Sequence, residues 1–187
     1  MEHCGKHSTI MIMSKINMSI LVISLIVVLS CCSNLFPDEK LSIIRTDYNG
    51  SQLRVNGYYY LYNQNPESTQ ILFLYRNGVL LITRFFPSHD LGSIEKTMLN
   101  EYDEMKKEKT RWGVFMIYNN RIEYERWNGT TGIGLPTIKC KGTIENDTTF
   151  RITETYYSDS KETDYVEFIW HFKQFNNKPD STSVYIK

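Results

Sequence analysis

Trp112-Gly-Val-Phe-Met-Ile-Tyr118-Asn119-Asn120-Arg121-Ile-Glu-Tyr-Glu-Arg-Trp127 is the stretch that decides how this chain folds. Two runs of seven residues flank an Asn-Asn pair, and asparagine tolerates the left-handed backbone that tight hairpin turns require. A two-residue turn sets Ile117 opposite Ile122 and Phe115 opposite Tyr124. Both runs then put apolar side chains on one face, while Glu123 and Glu125 fall on the other. That period of two belongs to a strand, not a helix.

The same grammar extends in both directions. Upstream, Leu53 to Tyr62 alternates Leu53, Val55, Tyr59 and Leu61 against Arg54, Asn56, Tyr58 and Tyr60. Ile71 to Arg76 and Val79 to Phe86 flank Asn77-Gly78, a hairpin signal in which both turn residues are expected at positive φ. Downstream, Ile138 to Glu145 and Thr149 to Tyr156 flank Asn146-Asp147-Thr148. A three-residue loop there places Ile144 opposite Phe150 and Gly142 opposite Ile152; a two-residue loop would send those apolar residues to opposite faces. Val166, Phe168, Trp170 and Phe172 alternate against Glu167, Ile169, His171 and Lys173, and Val184 to Ile186 reads as a last strand. Gly113 and Gly142 each open a strand and are expected at bends of a curved sheet. One segment breaks the pattern. From Ser93 to Lys109, Ile94, Met98, Tyr102 and Met105 recur at helical spacing, with Lys106, Lys107 and Lys109 at the C-terminal end where positive charge suits the macrodipole. This helix is expected as a lid or plug on an open side of the sheet. The chain contains no alanine, the best helix former. The fold class is therefore mainly β: an antiparallel meander curled into a barrel or half-barrel, with one amphipathic helix inserted mid-chain.

The 187 residues carry 21 Lys and Arg against 21 Asp and Glu, a formal net charge of zero. That excludes the basic face by which a protein binds nucleic acid. The length suits one domain with extensions. Catalytic candidates are few. Ser88, His89 and Asp90 are triad residue types, but three adjacent residues cannot converge on one reacting atom. Asp90 and Ser93 are expected to cap the helix. His171 falls on the polar side of its strand. Asp159, Glu162 and Asp164 lack the glycine-centred spacing of a calcium loop, and Gly129, Gly132 and Gly134 lack the lysine-serine ending of a phosphate loop. The chain is read as not an enzyme, with no cofactor and no metal. Tyr58, Tyr60 and Tyr62 share one face, a row that could pack in the sheet or stack a glycan.

The N-terminus reads as an address. Lys15 precedes Ile20 to Leu29, ten residues with one serine, and Ser30-Cys31-Cys32 follow. A positive residue, a short apolar run and a small residue describe a secretory signal. An uncleaved single-span anchor is the competing reading. Val28-Leu29-Ser30-Cys31 resembles the lipobox of bacterial lipoproteins: an aliphatic residue, a small residue before the cut, then the cysteine. In that family the cysteine thiol receives a diacylglycerol and the chain is cleaved before it. The resemblance implies a signal peptide over residues 1–30, with translation starting at Met13 or Met1. It implies lipid attachment at Cys31, with Cys32 as the shifted alternative, a tether over 31–40 and one β-rich domain over 41–187. Such an anchor places the chain in the cell envelope, at the outer membrane. Of the remaining cysteines, Cys140 either stands alone on a strand or pairs with Cys32.

The lipobox and the hairpin series over residues 50–187 together resemble the lipocalin-like β-barrel lipoproteins of Gram-negative envelopes. The resemblance and the inward aromatics, among them Phe115, Tyr124, Phe168 and Trp170, carry the functional expectation. It is a lipid-anchored binding module holding a small apolar ligand or glycan in an aromatic-lined barrel. The alternative is an envelope accessory docking a protein partner through a sheet edge or the tyrosine face.

Overall fold

The computed structural model describes residues 37–129 and 134–187. The signal expected over 1–30, Cys31, Cys32 and positions 31–36 of the tether lie outside the described residues. Eight strands follow one another: β1 (Gly57–Gln64), β2 (Glu67–Leu74), β3 (Val79–Ile82), β4 (Trp112–Tyr118), β5 (Arg121–Trp127), β6 (Thr137–Asn146), β7 (Thr149–Tyr157) and β8 (Thr163–Gln174). Helix α1 (Leu91–Lys107) and a short 3-10 turn (Lys109–Arg111) stand between β3 and β4. Every neighbouring pair is antiparallel, and β8 returns to β1, with Tyr59 opposite Phe172 and Tyr60 opposite His171. The sheet is a closed barrel. Closure pairs the backbone groups that an edge would leave open. Among the described residues no helix is long and apolar enough to cross a membrane.

The hairpin around Asn119-Asn120 has the expected register, with Phe115 opposite Tyr124 and Ile117 opposite Ile122. Asn119 takes a positive φ of 56°. The β6–β7 hairpin also has the expected pairs, Ile144 with Phe150 and Gly142 with Ile152. It reaches them differently. Asn146 pairs with Thr149 across a two-residue turn, and a bulge at Glu145 supplies the odd residue that keeps both apolar sets facing inward. The β2–β3 turn departs from expectation. Tyr75 donates its N–H to Val79 O, so the loop spans Arg76 to Gly78. Only Gly78 takes positive φ, at 74°, while Asn77 does not. This is the three-residue loop that ends in a left-handed glycine.

Two apolar clusters sandwich part of the barrel wall. The inner one lies inside the barrel and includes Tyr59, Leu72, Leu80, Phe115, Phe150 and Trp170, among others. The outer one packs Ile94, Met98 and Met105 of α1 on Tyr58, Phe73 and Trp112. The helix thus lies against the outside of a closed wall and does not plug an open sheet. Strand β2 reads Ile-Leu-Phe-Leu and β3 reads Val-Leu-Leu-Ile, all buried, because both faces of these strands are covered. Asp90 is the N-cap and its carboxylate accepts from the Gly92 N–H at 3.0 Å; Ser93 lies inside the helix.

Three boundaries are corrected. Leu53 and Val55 precede β1, although Leu53 is buried in the barrel core. Strand β3 stops at Ile82, where the Thr83 hydroxyl accepts the Ile71 N–H in place of a backbone carbonyl. Val184 to Ile186 form no strand, because β1 and β8 already pair with each other; Tyr185 and Ile186 pack on the outer cluster instead.

Candidate functional site

The two ends of the barrel differ. At the hairpin-tip end, the segment before β1 crosses the opening: Tyr48 donates its N–H to Arg76 O and Arg54 to Asp147 O. Tyr48 and Leu53 drop into the core there, and the Tyr48 hydroxyl accepts the Leu53 N–H at 2.7 Å. This end is filled. The other end holds a cavity of about 440 Å³. That falls within the ~300–1,000 Å³ of small-molecule sites.

Side chains from seven strands build this cavity. Leu61, Ile82, Ile138 and Trp170 supply apolar wall; Tyr124, Cys140, Thr155 and Tyr157 supply neutral polar groups. Arg126, two residues after Tyr124 and so on the same face of β5, brings a guanidinium into the lining. Its hydrogen bond goes to the Trp127 carbonyl oxygen at 3.0 Å. Glu167 stands in the lining too and is paired with Arg151. Trp170 is stacked on Phe150, with ring centroids 6.0 Å apart. Its buried indole N–H has no acceptor among the described residues.

Cys140 is a free, buried thiol inside the barrel, with Sγ 3.8 Å from Thr155 Oγ1. Burial pushes the thiol above its ordinary pKa, against the opposing pull of Tyr124, Arg126 and Thr155. Burial likewise raises the Tyr124 and Tyr157 hydroxyls. These groups stay neutral near pH 7, so the charges in the lining are the Arg126 guanidinium and the Glu167 carboxylate, which Arg151 holds.

The aromatics expected to face inward divide in two. Phe115, Tyr124 and Trp170 are buried in the barrel, whereas Phe168 lies in the cavity lining and is 39% exposed. The tyrosine row also splits. Tyr58 is fully buried beneath α1, its ring on Phe73 and Phe175, so it offers no stacking face. Tyr60 and Tyr62 continue outward with ring centroids 4.9 Å apart, and His171 and His89 lie beside them at 5.7 and 4.6 Å. His89 Nδ1 stands 3.5 Å from Glu67 and its Nε2 lies 3.0 Å from Asn63 O. Ser88 accepts the Asp90 N–H and Asp90 caps the helix, so these neighbours of His89 serve the chain turn. Sequence reasoning missed Arg126, although its period-two relation to Tyr124 was there to read. Comparison with protein-family models, with curated proteins and with solved structures gives no match to this chain.

Proposed function

We propose that this protein is a non-enzymatic binding module that takes a small, largely apolar molecule into the open end of the barrel. The cavity carries the reading: about 440 Å³ of space at one end of a barrel whose other end is filled. Apolar wall left facing water forfeits the hydrophobic and dispersion contacts that a packed core would make. An occupant of matching shape restores them. In the same reading, lipidation at Cys31 holds the domain at the envelope membrane, where apolar ligands concentrate.

Titrating the full chain with the neutral fluorophore N-phenyl-1-naphthylamine tests the site. Saturable uptake is expected in the wild type, and Leu61→Trp, which fills the cavity from β1, is expected to abolish it while circular dichroism keeps its β signature. Absence of uptake by the folded wild type overturns the proposal. For the anchor, intact-mass measurement of the chain from bacterial membranes is expected to show diacylglycerol on Cys31 and loss of residues 1–30. An unmodified Cys31 with the preceding segment retained overturns that part.

A further inference from the structure

We infer that the molecule bound in this cavity carries an acid group, and that Arg126 receives it while the apolar part lies against Leu61, Ile82 and Ile138. The inference rests on the reading of the open barrel end as a binding site and specifies the chemical class of its ligand.

The lining has more donors than it can satisfy. A guanidinium offers five N–H donors and cannot be discharged. The hydrogen bond Arg126 makes is to a backbone carbonyl, and among the described residues it forms no ion pair. Glu167, the carboxylate in the lining, is engaged by Arg151. Trp170 adds an indole N–H that is buried without an acceptor. Indole nitrogen donates only, so nothing but an incoming acceptor can satisfy it.

The three kinds of apolar ligand fare differently here. A cationic amphiphile would be repelled by Arg126. A neutral one would strip water from the guanidinium and leave it unpaired, which is costly. An anionic one supplies the missing charge and acceptors together, and planar guanidinium meets carboxylate or phosphate through two parallel hydrogen bonds. The surrounding Tyr124, Cys140 and Tyr157 stay neutral. Of the nearby carboxylates, Glu167 is paired with Arg151 and Asp164 lies at the Tyr157 hydroxyl, so neither is paired with the guanidinium among the described residues.

Displacement of N-phenyl-1-naphthylamine from the full chain by decanoate, decyl phosphate, methyl decanoate, decanol and decyltrimethylammonium, all below micelle formation, tests this. At least one of the two anions is expected to displace the dye at about tenfold lower concentration than decanol, or lower still. Decanoate and decyl phosphate compared with each other separate a carboxylate from a phosphate ligand. Methyl decanoate is expected to match decanol, a control that needs no variant. Arg126→Gln is expected to erase the ratio between anion and alcohol, and Arg126→Lys to retain part of it. If the dye binds but anions and decanol displace it equally, or if Arg126→Gln keeps the ratio, the acid assignment is overturned and the binding cavity stands. If the folded wild type takes up no dye, both readings fall.

Discussion

The Tyr58 hydroxyl donates a hydrogen bond of 2.7 Å to Glu95 Oε1, joining the outer face of β1 to helix α1. The Lys173 ammonium from β8 meets the same oxygen at 2.8 Å. A single carboxylate thus ties the helix to the two strands that close the barrel. Burial and the neighbouring Glu95 charge both push the Tyr58 hydroxyl far above its ordinary pKa, so it remains a donor at any physiological pH.

Tyr58→Phe removes that donor and is expected to cost about 1–2 kcal/mol by urea denaturation. Glu95→Ala is expected to cost more, since it strands a buried hydroxyl and removes the partner of Lys173. The double variant should be less unstable than the sum of the singles, because the two share one interaction. Strict additivity would show that the pair contributes nothing to holding α1.

Glu125 is 2% exposed on the outer face of β5, where alternation places it. Its Oε2 accepts the backbone N–H groups of Ser42 and Ile43 at 2.6 and 2.8 Å and the Ser42 hydroxyl at 3.0 Å. Glu125→Ala is expected to lose about 2–4 kcal/mol, as charged hydrogen bonds to a buried acceptor are the strong ones. Trypsin should then cut faster after Lys40 and Arg45. An unchanged cleavage rate would mean that the segment is held by other contacts.

Lys178 donates to the carbonyl oxygens of Val55 and Leu74 and lies 4.0 Å from the Tyr75 ring centroid. Burial, reinforced by the Arg76 charge, pulls its pKa from 10.5 down to about 7. Between those values the unfolded chain binds a proton that the folded chain does not, so this group makes stability rise with pH. Below about pH 7 both states are charged and the contribution is flat. Chemical denaturation at pH 7 and pH 9.5 should show a larger gain in the wild type than in Lys178→Met. Staying under pH 10 avoids the opposite trend from buried Tyr58 and Tyr59, whose pKa values are raised in the folded state. Equal slopes in the two proteins would exclude this lysine as the cause.

Gly142 sits where the β6–β7 register shifts, and a Cβ there would stand 1.9 Å from the Arg151 carbonyl oxygen. The obstacle is backbone, which cannot rotate away. Gly142→Ala is expected to cost about 1–3 kcal/mol in thermal or urea unfolding. A neutral effect would show that the bend relaxes easily.

Much of the barrel was legible because strand signals are local. The registers around Asn119-Asn120 and at Ile144–Phe150 followed from apolar alternation across a short turn. Even the bulge at Glu145 obeys the same demand that both apolar sets face inward. The continuous apolar runs of β2 and β3 also held a message that alternation alone overlooked: strands without a polar face need cover on both sides. That cover is α1.

Sequence by itself determined the strand-rich class, the hairpins, the mid-chain helix and its Asp90 cap, since each depends on residues within a turn or two of one another. Tertiary structure decided what those elements enclose. Closure pairs Gly57 to Tyr60 with His171 to Gln174, and such long-range contact depends on the curvature accumulated over all eight strands. It also decided that Tyr58 is buried while Tyr62 is exposed, because α1 covers one end of their shared face. Above all it decided which barrel end is filled. Tyr48 and Leu53 pack into the hairpin-tip end, and the space left at the other is what brings Arg126, Cys140 and Trp170 into one lining. Free volume is a remainder of packing, set by every side chain at once, and no single stretch of sequence records it.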